Sequence, residues 1–559
     1  MAEEGTIFIP FDALPSKIRA CMNCRRRKIK CDGERPKCGP CSRSIGFQDC
    51  EYGEDGPTRT QLLEEQIKLL EARIEELEKP KELRTALALQ NPYPGERRSN
   101  SLPALSRGGS AVHLPVTHSE RSSGTSSPLS MRSEGVPLVD LETLVHNFLH
   151  HASQFGFFLH IERFREAILG QSGHRPAAGL LDVVYLWAIH LSGSEEFITD
   201  EAGYLSRALR TAADALSGTH ANTVIHSIQT EVLLANYFLR NTRFLEGKYH
   251  LSAAVSLVIS SGLHRIRSGD SAALGGPLGP AFHALTPPRD TIDECERINA
   301  LWTVLTMNNC WTTADGSPSN ILYTDSQARI DTPWPLDINA LDLNTQALPH
   351  SSIGTVSTFL ASVPDSGLSE AALHAKAAIL FEQASRLTSQ YRPNMNNEQL
   401  SQFYLSFNSI DTLIGGFKAN IPAIQLHSTR EMLVARSLTH VATIQLHNPF
   451  VVENEASRSH ALEAARAVVA DLVQAPVNDY LYVDPIMGTL LMATCQVFIT
   501  ELGRLKSHRP GNSTSAVSQE ERSIMDAVDT VLAVMNVFAP GCRLMASQLI
   551  AMQQLYHAI

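Results

Sequence analysis

From Val139 onward, apolar residues recur with the period of a helix. Leu141, Leu144, Val145, Phe148 and Leu149 fall at i, i+3, i+4, i+7 and i+8, which places them on one helical face. The same periodicity predicts helices over 178–192, 202–217, 223–240, 242–261 and 291–313. Further helices are predicted near 369–391, 397–413, 427–447, 456–474, 486–505, 519–538 and 541–557. Thr291 and Glu294 have the spacing of a capping box, and Gly262 stands where the helix before it should end. Alternating strand patterns are scarce. Residues 138–559 therefore predict one large all-α domain, with Pro-containing loops at 264–290 and 316–366.

A different period runs through 59–79. Leu63, Ile67, Leu70, Ile74 and Leu77 are spaced 4, 3, 4, 3, with Leu at d and Ile at a, before Pro80 stops the helix. That pairing favours a short parallel two-stranded coiled coil, and so a homodimer. Arg59 and Arg73 fall at g, Glu64 and Glu78 at e, so the pairs across the dimer are attractive. The competing arrangement is an amphipathic helix docked on its own chain. Three heptads are marginal alone, so dimerisation should also need DNA or the large domain. Residues 91–137 predict a disordered Ser/Pro linker. The stretch 99–133 holds eleven Ser with Pro103, Pro115 and Pro128, and has too little apolar surface to offset the entropy of ordering.

Composition narrows the class. The 559 residues are 43% hydrophobic and 19% charged, which excludes a wholly disordered chain. The formal net charge is −11, yet residues 17–43 sum to +8, leaving −19 for the rest. A uniformly basic nucleic-acid coat is excluded, and a local anion-binding module on an acidic body is indicated. No predominantly apolar run long enough to span a bilayer is apparent, and the chain opens Met1, Ala2, Glu3, Glu4 without a secretory signal. The expectation is an intracellular protein without a membrane partner.

Six of the ten cysteines lie within 30 residues: Cys21, Cys24, Cys31, Cys38, Cys41 and Cys50. Their spacing is a twofold repeat, Cys-x2-Cys-x6-Cys and Cys-x2-Cys-x8-Cys. Each Cys-x2-Cys can place two sulfurs at the start of a short helix, and the third cysteine closes the site. Two tetrahedral zinc ions need eight ligand positions, which six cysteines supply only if two thiolates bridge both metals. A single-zinc finger or ribbon using four of the six is the competing arrangement. Arg25, Arg26, Arg27, Lys28 and Lys30 follow the second cysteine and are read as filling the first helix. Such groups contact phosphates, and at groove depth guanine O6 and N7. The run also suits a nuclear localisation signal. Cys295, Cys310, Cys495 and Cys542 are read as buried small hydrophobes.

Residues 20–52, from Ala20-Cys21-Met22-Asn23-Cys24 through Pro36-Lys37-Cys38-Gly39-Pro40-Cys41 to Cys50-Glu51-Tyr52, resemble the fungal zinc binuclear cluster family. The resemblance implies two zinc ions per chain, bridging by Cys21 and Cys38, and reading of a CGG triplet by Lys28. It also implies a small zinc-stapled two-helix DNA-binding domain, here 17–55. Its eight-residue gap Ser42–Asp49 should lengthen only a surface loop. Around 230–335 the chain resembles the fungal-specific transcription factor domain, or middle homology region. The blocks are Thr230–Leu239, Ser261-Gly262-Leu263-His264-Arg265, Glu294-Cys295-Glu296-Arg297, Gly316-Ser317-Pro318 and Asp331-Thr332-Pro333-Trp334-Pro335. This implies an all-α regulatory domain. Ile298 and Asn309 depart from that pattern at positions where arginine and aspartate are frequent.

These readings combine into a nuclear, sequence-specific DNA-binding transcription factor of RNA polymerase II genes. Its expected partners are double-stranded DNA, a second copy, and the transcription machinery or co-regulators. The alternative is a helical enzyme or metabolite sensor carrying an incidental zinc module. Against an enzyme, no His-Glu-x-x-His, Gly-x-Ser-x-Gly or phosphate-loop motif occurs. His264 follows a helix-ending glycine, and Trp187, Trp302, Trp311 and Trp334 are expected in the core.

Overall fold

The structure, a computed structural model, describes residues 20–43, 50, 138–170, 175–193, 195–217, 222–269, 285–321, 323, 329–338, 351–508 and 518–559. The heptad helix expected over 59–79, with Leu63, Ile67, Leu70, Ile74 and Leu77, lies outside the described residues, as does the linker expected over 91–137. The chain divides into two compact units, Met1–Gly109 and Ser110–Ile559.

In the first unit the described helices are α1 (Met22–Arg26) and α2 (Gly39–Ser42). The second unit is helical, and its described residues hold no strand beyond one isolated bridge between Ser268 and Ser352. Its helices begin with α3 (Leu138–His151), α4 (Ile161–Ile168), α5 (Ala178–Ser192), α6 (Glu195–Ala213), α7 (Thr223–Arg240) and α8 (Phe244–Ser260). They continue with α9 (Thr291–Asp315), α10 (Thr355–Leu360), α11 (Glu370–Thr388), α12 (Asn397–Asn420) and α13 (Arg430–His447). The last are α14 (Glu455–Gln474), α15 (Ile486–Ser507), α16 (Gln519–Phe538) and α17 (Arg543–His557).

One continuous core runs from Val145 to Met552. Two helices organise it. The long helix α9 packs against α7, α8, α11 and α15. Helix α13 is embraced by α11, α12, α14 and α15, and its Leu433, Leu438, Val441 and Leu446 are wholly buried. Trp187, Trp302, Trp311 and Trp334 all lie in this core, as expected, and so do the four later cysteines.

Periodicity located α5, α7 and α16 to the residue, and tertiary packing shifted others. Helix α12 runs past the expected end at 413, through Gly415 and Gly416, because Ile414 and Phe417 are needed in the core. Helix α6 starts at Glu195 rather than 202. Helix α4 was not expected, and its N-cap is unusual: His160 Nδ1 accepts from the Arg163 amide at 3.2 Å. Thr291 and Glu294 do not form the expected capping box. Asp290 caps α9 by accepting from the Asp293 amide at 2.8 Å, and Glu294 instead pairs with Arg267 at 2.6 and 2.8 Å. Gly262, at φ 75°, does end α8.

The departures from the resembled pattern are satisfied locally. Ile298 is buried in the core, Arg297 spans both oxygens of Asp293 at 3.2 and 3.3 Å, and Asn309 donates to Tyr323. The expectation of no bilayer-length apolar run needs correction. Ile486–Ser507 and 519–541 are long and apolar enough by composition, but α15 packs within the bundle against α13, α16 and α17.

Candidate functional site

The cysteine cluster is built by two very short helices, each entered from a cysteine in extended conformation. Cys21 caps α1, and its sulfur accepts the Cys24 amide at 3.4 Å. Cys38 occupies the same place before α2, where Pro40 sits in the first turn and its missing N–H costs nothing. Five and four residues are too few to hold a helix in water, so the cluster must hold the helices.

The sulfurs converge. Cys21 Sγ lies 3.6 Å from Cys38 and 3.9 Å from Cys41, and Cys24 Sγ lies 3.5 Å from Cys38 and 3.8 Å from Cys41. Tetrahedral zinc with bonds of about 2.3 Å separates its sulfurs by roughly 3.8 Å, so these spacings fit thiolates around zinc. The remaining two sulfurs flank this group symmetrically. The Cys21 amide donates to Cys31 Sγ at 3.4 Å, and the Cys38 amide donates to Cys50 Sγ at 3.3 Å. The repeat in the sequence is thus a repeat in space. Cys38 Sγ is also 3.6 Å from Cys50 and close to Cys31, so it meets sulfurs of both halves of the repeat.

Electrostatics point the same way. Burial raises the Cys38 thiol, but the Cys41 amide and the thiols of Cys41, Cys24 and Cys50 stabilise its anion and bring it down to about 6. Burial, and then the hydrogen bond with Cys38, pushes Cys24 up to about 12, and burial likewise raises Cys21 and Cys50. The surroundings thus favour the Cys38 thiolate and disfavour those of Cys21, Cys24 and Cys50, whose ionisation is helped by added positive charge such as bound zinc supplies.

The basic run does not fill a helix as expected. Helix α1 ends at Arg26, and Lys28 adopts φ 53°. The Lys28 amide donates to Arg25 O at 3.2 Å and the Ile29 amide to Cys24 O at 3.1 Å, a Schellman stop with lysine where glycine is usual. That backbone costs on the order of 1 kcal/mol in a residue with a Cβ. Arg25 and Arg26 stand in the last turn, Arg27 caps it, and Lys28 and Lys30 lie beyond; all five are exposed.

Two residues escaped the sequence reading. Asp32 reaches across the repeat and accepts the Gly39 amide at 2.9 and 3.2 Å, joining the end of the first half to the start of α2. A Cβ at Gly39 would stand 2.4 Å from Asp32 Oδ2 and would have to displace this carboxylate. Nothing in the spacing marks Asp32, because the contact exists only once both halves have folded.

The large unit offers less to an enzyme reading. His264 is buried, with its pKa pushed down to about 4 by burial and then by Arg265. His447 touches Ser457 at 3.1 Å and Asp411 at 3.4 Å, but Ser457 is buried in the first turn of α14 with its amide bonded to the Asn454 cap. That hydroxyl has no access to a substrate.

Residues 19–58 match the fungal Zn(2)-Cys(6) binuclear cluster domain. The chain is 46% identical over 63 residues to the notoamide biosynthesis cluster transcriptional coactivator notQ' of Aspergillus versicolor, covering 11% of this chain and 12% of that one. It is 42% identical over 65 residues to the transcriptional activator protein acu-15 of Neurospora crassa, covering 11% of this chain and 7% of that protein. The chain therefore spans about a tenth of the length of the curated relatives it matches. No solved structure matches it. The cysteine cluster is a zinc-binding, DNA-binding domain of the kind carried by fungal transcriptional activators.

Proposed function

We propose that this protein is a sequence-specific transcription factor of RNA polymerase II genes, acting in the nucleus. Residues 17–55 hold two zinc ions, with Cys21 and Cys38 shared between them. Lys28, with basic Arg27 just before it, reads the guanines of a CGG-like triplet, while Arg25, Arg26 and Lys30 lie along the phosphate backbone. Residues 59–79 pair two copies, and 138–559 form a regulatory domain of the fungal-specific, middle homology kind.

The observation that carries this reading is the cysteine repeat with its basic arm. Cys38 Sγ meets the sulfurs of both halves, and the exposed run Arg25–Lys30 leaves the helix that Cys21 caps. The left-handed turn at Lys28 takes the chain out of the helix there, giving that side chain a direction different from the arginines before it. Phosphate contacts position and base contacts specify, so residues pointing differently can divide those tasks.

A second arrangement has its own support. Cys21, Cys24, Cys38 and Cys41 alone are spaced for one ion. Metal content separates the two. Elemental analysis should find two zinc ions per chain, none after Cys38→Ser, and one after Cys50→Ser; one ion in the intact protein would establish the single site instead. Base reading is tested by selection from random DNA and gel-shift titration. Lys28→Ala should cost about 1–3 kcal/mol and relax the guanine preference, while Arg26→Ala should weaken all sequences alike. An unchanged selected sequence after Lys28→Ala would remove the base-reading role.

A further inference from the structure

The six cysteines do not stand equally in the cluster. Cys21, Cys24, Cys38 and Cys41 are wholly buried, whereas Cys31 and Cys50, which close the two halves, are half-buried. Beside Cys31 the chain places a carboxylate. Asp32 is exposed, and one of its oxygens forms a group with Cys31 Sγ and Cys38 Sγ in which all three atoms lie within 4.8 Å of one another. Among the described residues no other carboxylate or imidazole forms such a group with the cluster sulfurs.

The carboxylate is held in place. Both its oxygens accept the Gly39 amide, at 2.9 and 3.2 Å, and Oδ1 also accepts the Glu34 amide at 3.4 Å. These bonds keep it between the sulfur that closes the first half and the sulfur that opens the second. An ionised carboxylate has roughly four lone-pair sites, so two amide donors leave capacity for a metal. Zinc takes thiolate sulfur at about 2.3 Å and carboxylate oxygen at about 2.0–2.2 Å in the same tetrahedral geometry. On one such ion an oxygen and a sulfur stand roughly 3.6 Å apart, so the group has to contract by about 1 Å at most. That is a side-chain rotation, with no change of fold.

We propose that Asp32 is a reserve zinc ligand, which takes the coordination position of Cys31 when that thiolate is unavailable. The inference rests on the two-zinc reading of the cluster. With all six cysteines present, the softer thiolates fill the zinc positions, and Asp32 serves the Gly39 amide as an outer partner that fixes the backbone beside a ligand. Without the Cys31 thiolate, the ion that it closed keeps its other sulfurs and gains an oxygen. Carboxylate and thiolate each carry one negative charge, so the charge of the ligand set is unchanged. Cys31 is the ligand of the first half most open to exchange, because Cys21 and Cys24 are wholly buried and it is not.

The test is the zinc content of the full-length protein after dialysis against buffered free zinc, for the wild type, Cys31→Ser, Asp32→Asn and the double variant. Asparagine keeps an acceptor for the Gly39 amide and removes the anion, so it separates ligation from the structural bond. The wild type, Asp32→Asn and Cys31→Ser should each hold two ions, one of them bound at least tenfold more weakly in Cys31→Ser. The double variant should hold at most one. Cobalt titration checks the ligands. Cys31→Ser should keep the visible absorption of two tetrahedral ions with less sulfur-to-metal charge transfer, and the double variant should lose that of one. Fewer than two zinc ions in Cys31→Ser, fewer than two in Asp32→Asn, or two in the double variant would each overturn the reserve role alone. One ion in the wild type would instead overturn the two-zinc reading, and this inference with it.

Discussion

The two units of this chain reach a folded state by opposite means. In the cysteine cluster the wholly buried side chains are Cys21, Cys24, Cys38 and Cys41, and the helices have five and four residues. A module this small buries too little apolar surface to fold alone, so its core is a metal site and its folding free energy is metal-binding free energy. The helical unit has a core of Leu, Val, Ile, Phe and Trp spanning fifteen helices among the described residues. Where the core is sulfur, a single side chain can be indispensable to everything around it. Where it is hydrocarbon, damage is graded by area and cavity. The surface follows suit: basic residues crowd the small unit, and acid dominates the remainder.

The largest expected effect separates the units completely. Chelating zinc from the full-length protein should abolish specific DNA binding while barely changing far-UV circular dichroism, because all but two short helices of the described residues lie in 138–559. A large loss of helix on chelation would mean that the two units do not fold independently. Next comes a core truncation on the other side. Trp187 is wholly buried, stacks on Phe155 at 4.2 Å and donates to Leu233 O at 3.0 Å. Trp187→Ala should cost about 3–5 kcal/mol in denaturant unfolding of the helical unit, with zinc content unchanged.

The smallest effect sharpens the comparison through pH. Burial holds the pKa values of His151, His264 and His374 down at about 4. The unfolded chain takes up these protons near 6.5, so the stability they contribute is present above that value and is lost as pH falls through 6.5 toward 4. Glu296, raised to about 7 by burial, acts with the opposite sign: its contribution is present below its ordinary value near 4.5 and is lost as pH rises toward 7. His264 Nδ1 has no hydrogen-bond partner, so His264→Gln sacrifices no bond at that nitrogen. It should make the helical unit less acid-sensitive by on the order of 1 kcal/mol at pH 5. An unchanged melting temperature difference between pH 7 and pH 5 would show that His264 titrates normally in the folded protein.

Sequence by itself determined the cysteine repeat, the basic arm beside it, and the helical class of the large unit. Those features are local or strictly periodic: ligand spacing is set by the turn that carries it, and an amphipathic stripe is written every three or four residues. It also determined the ends of α5, α7 and α16, where the apolar periodicity starts and stops, although only α16 opens on a side-chain cap, the box of Ser518 and Glu521. What only the tertiary structure decided are the pairings between distant segments. Asp32 on Gly39, Glu294 on Arg267 rather than in a capping box, and α12 carried through two glycines to bury Phe417 are choices between local alternatives of similar free energy. The left-handed turn at Lys28 belongs with them, because a lysine gives no local sign of a conformation that the surrounding cluster imposes. A cavity in the helical unit, lined by acids, is the extreme case. Glu370, Glu431 and Asp484 lie on different segments, and each reads in the sequence as an ordinary solvated charge until α9, α11, α13 and α15 close around them.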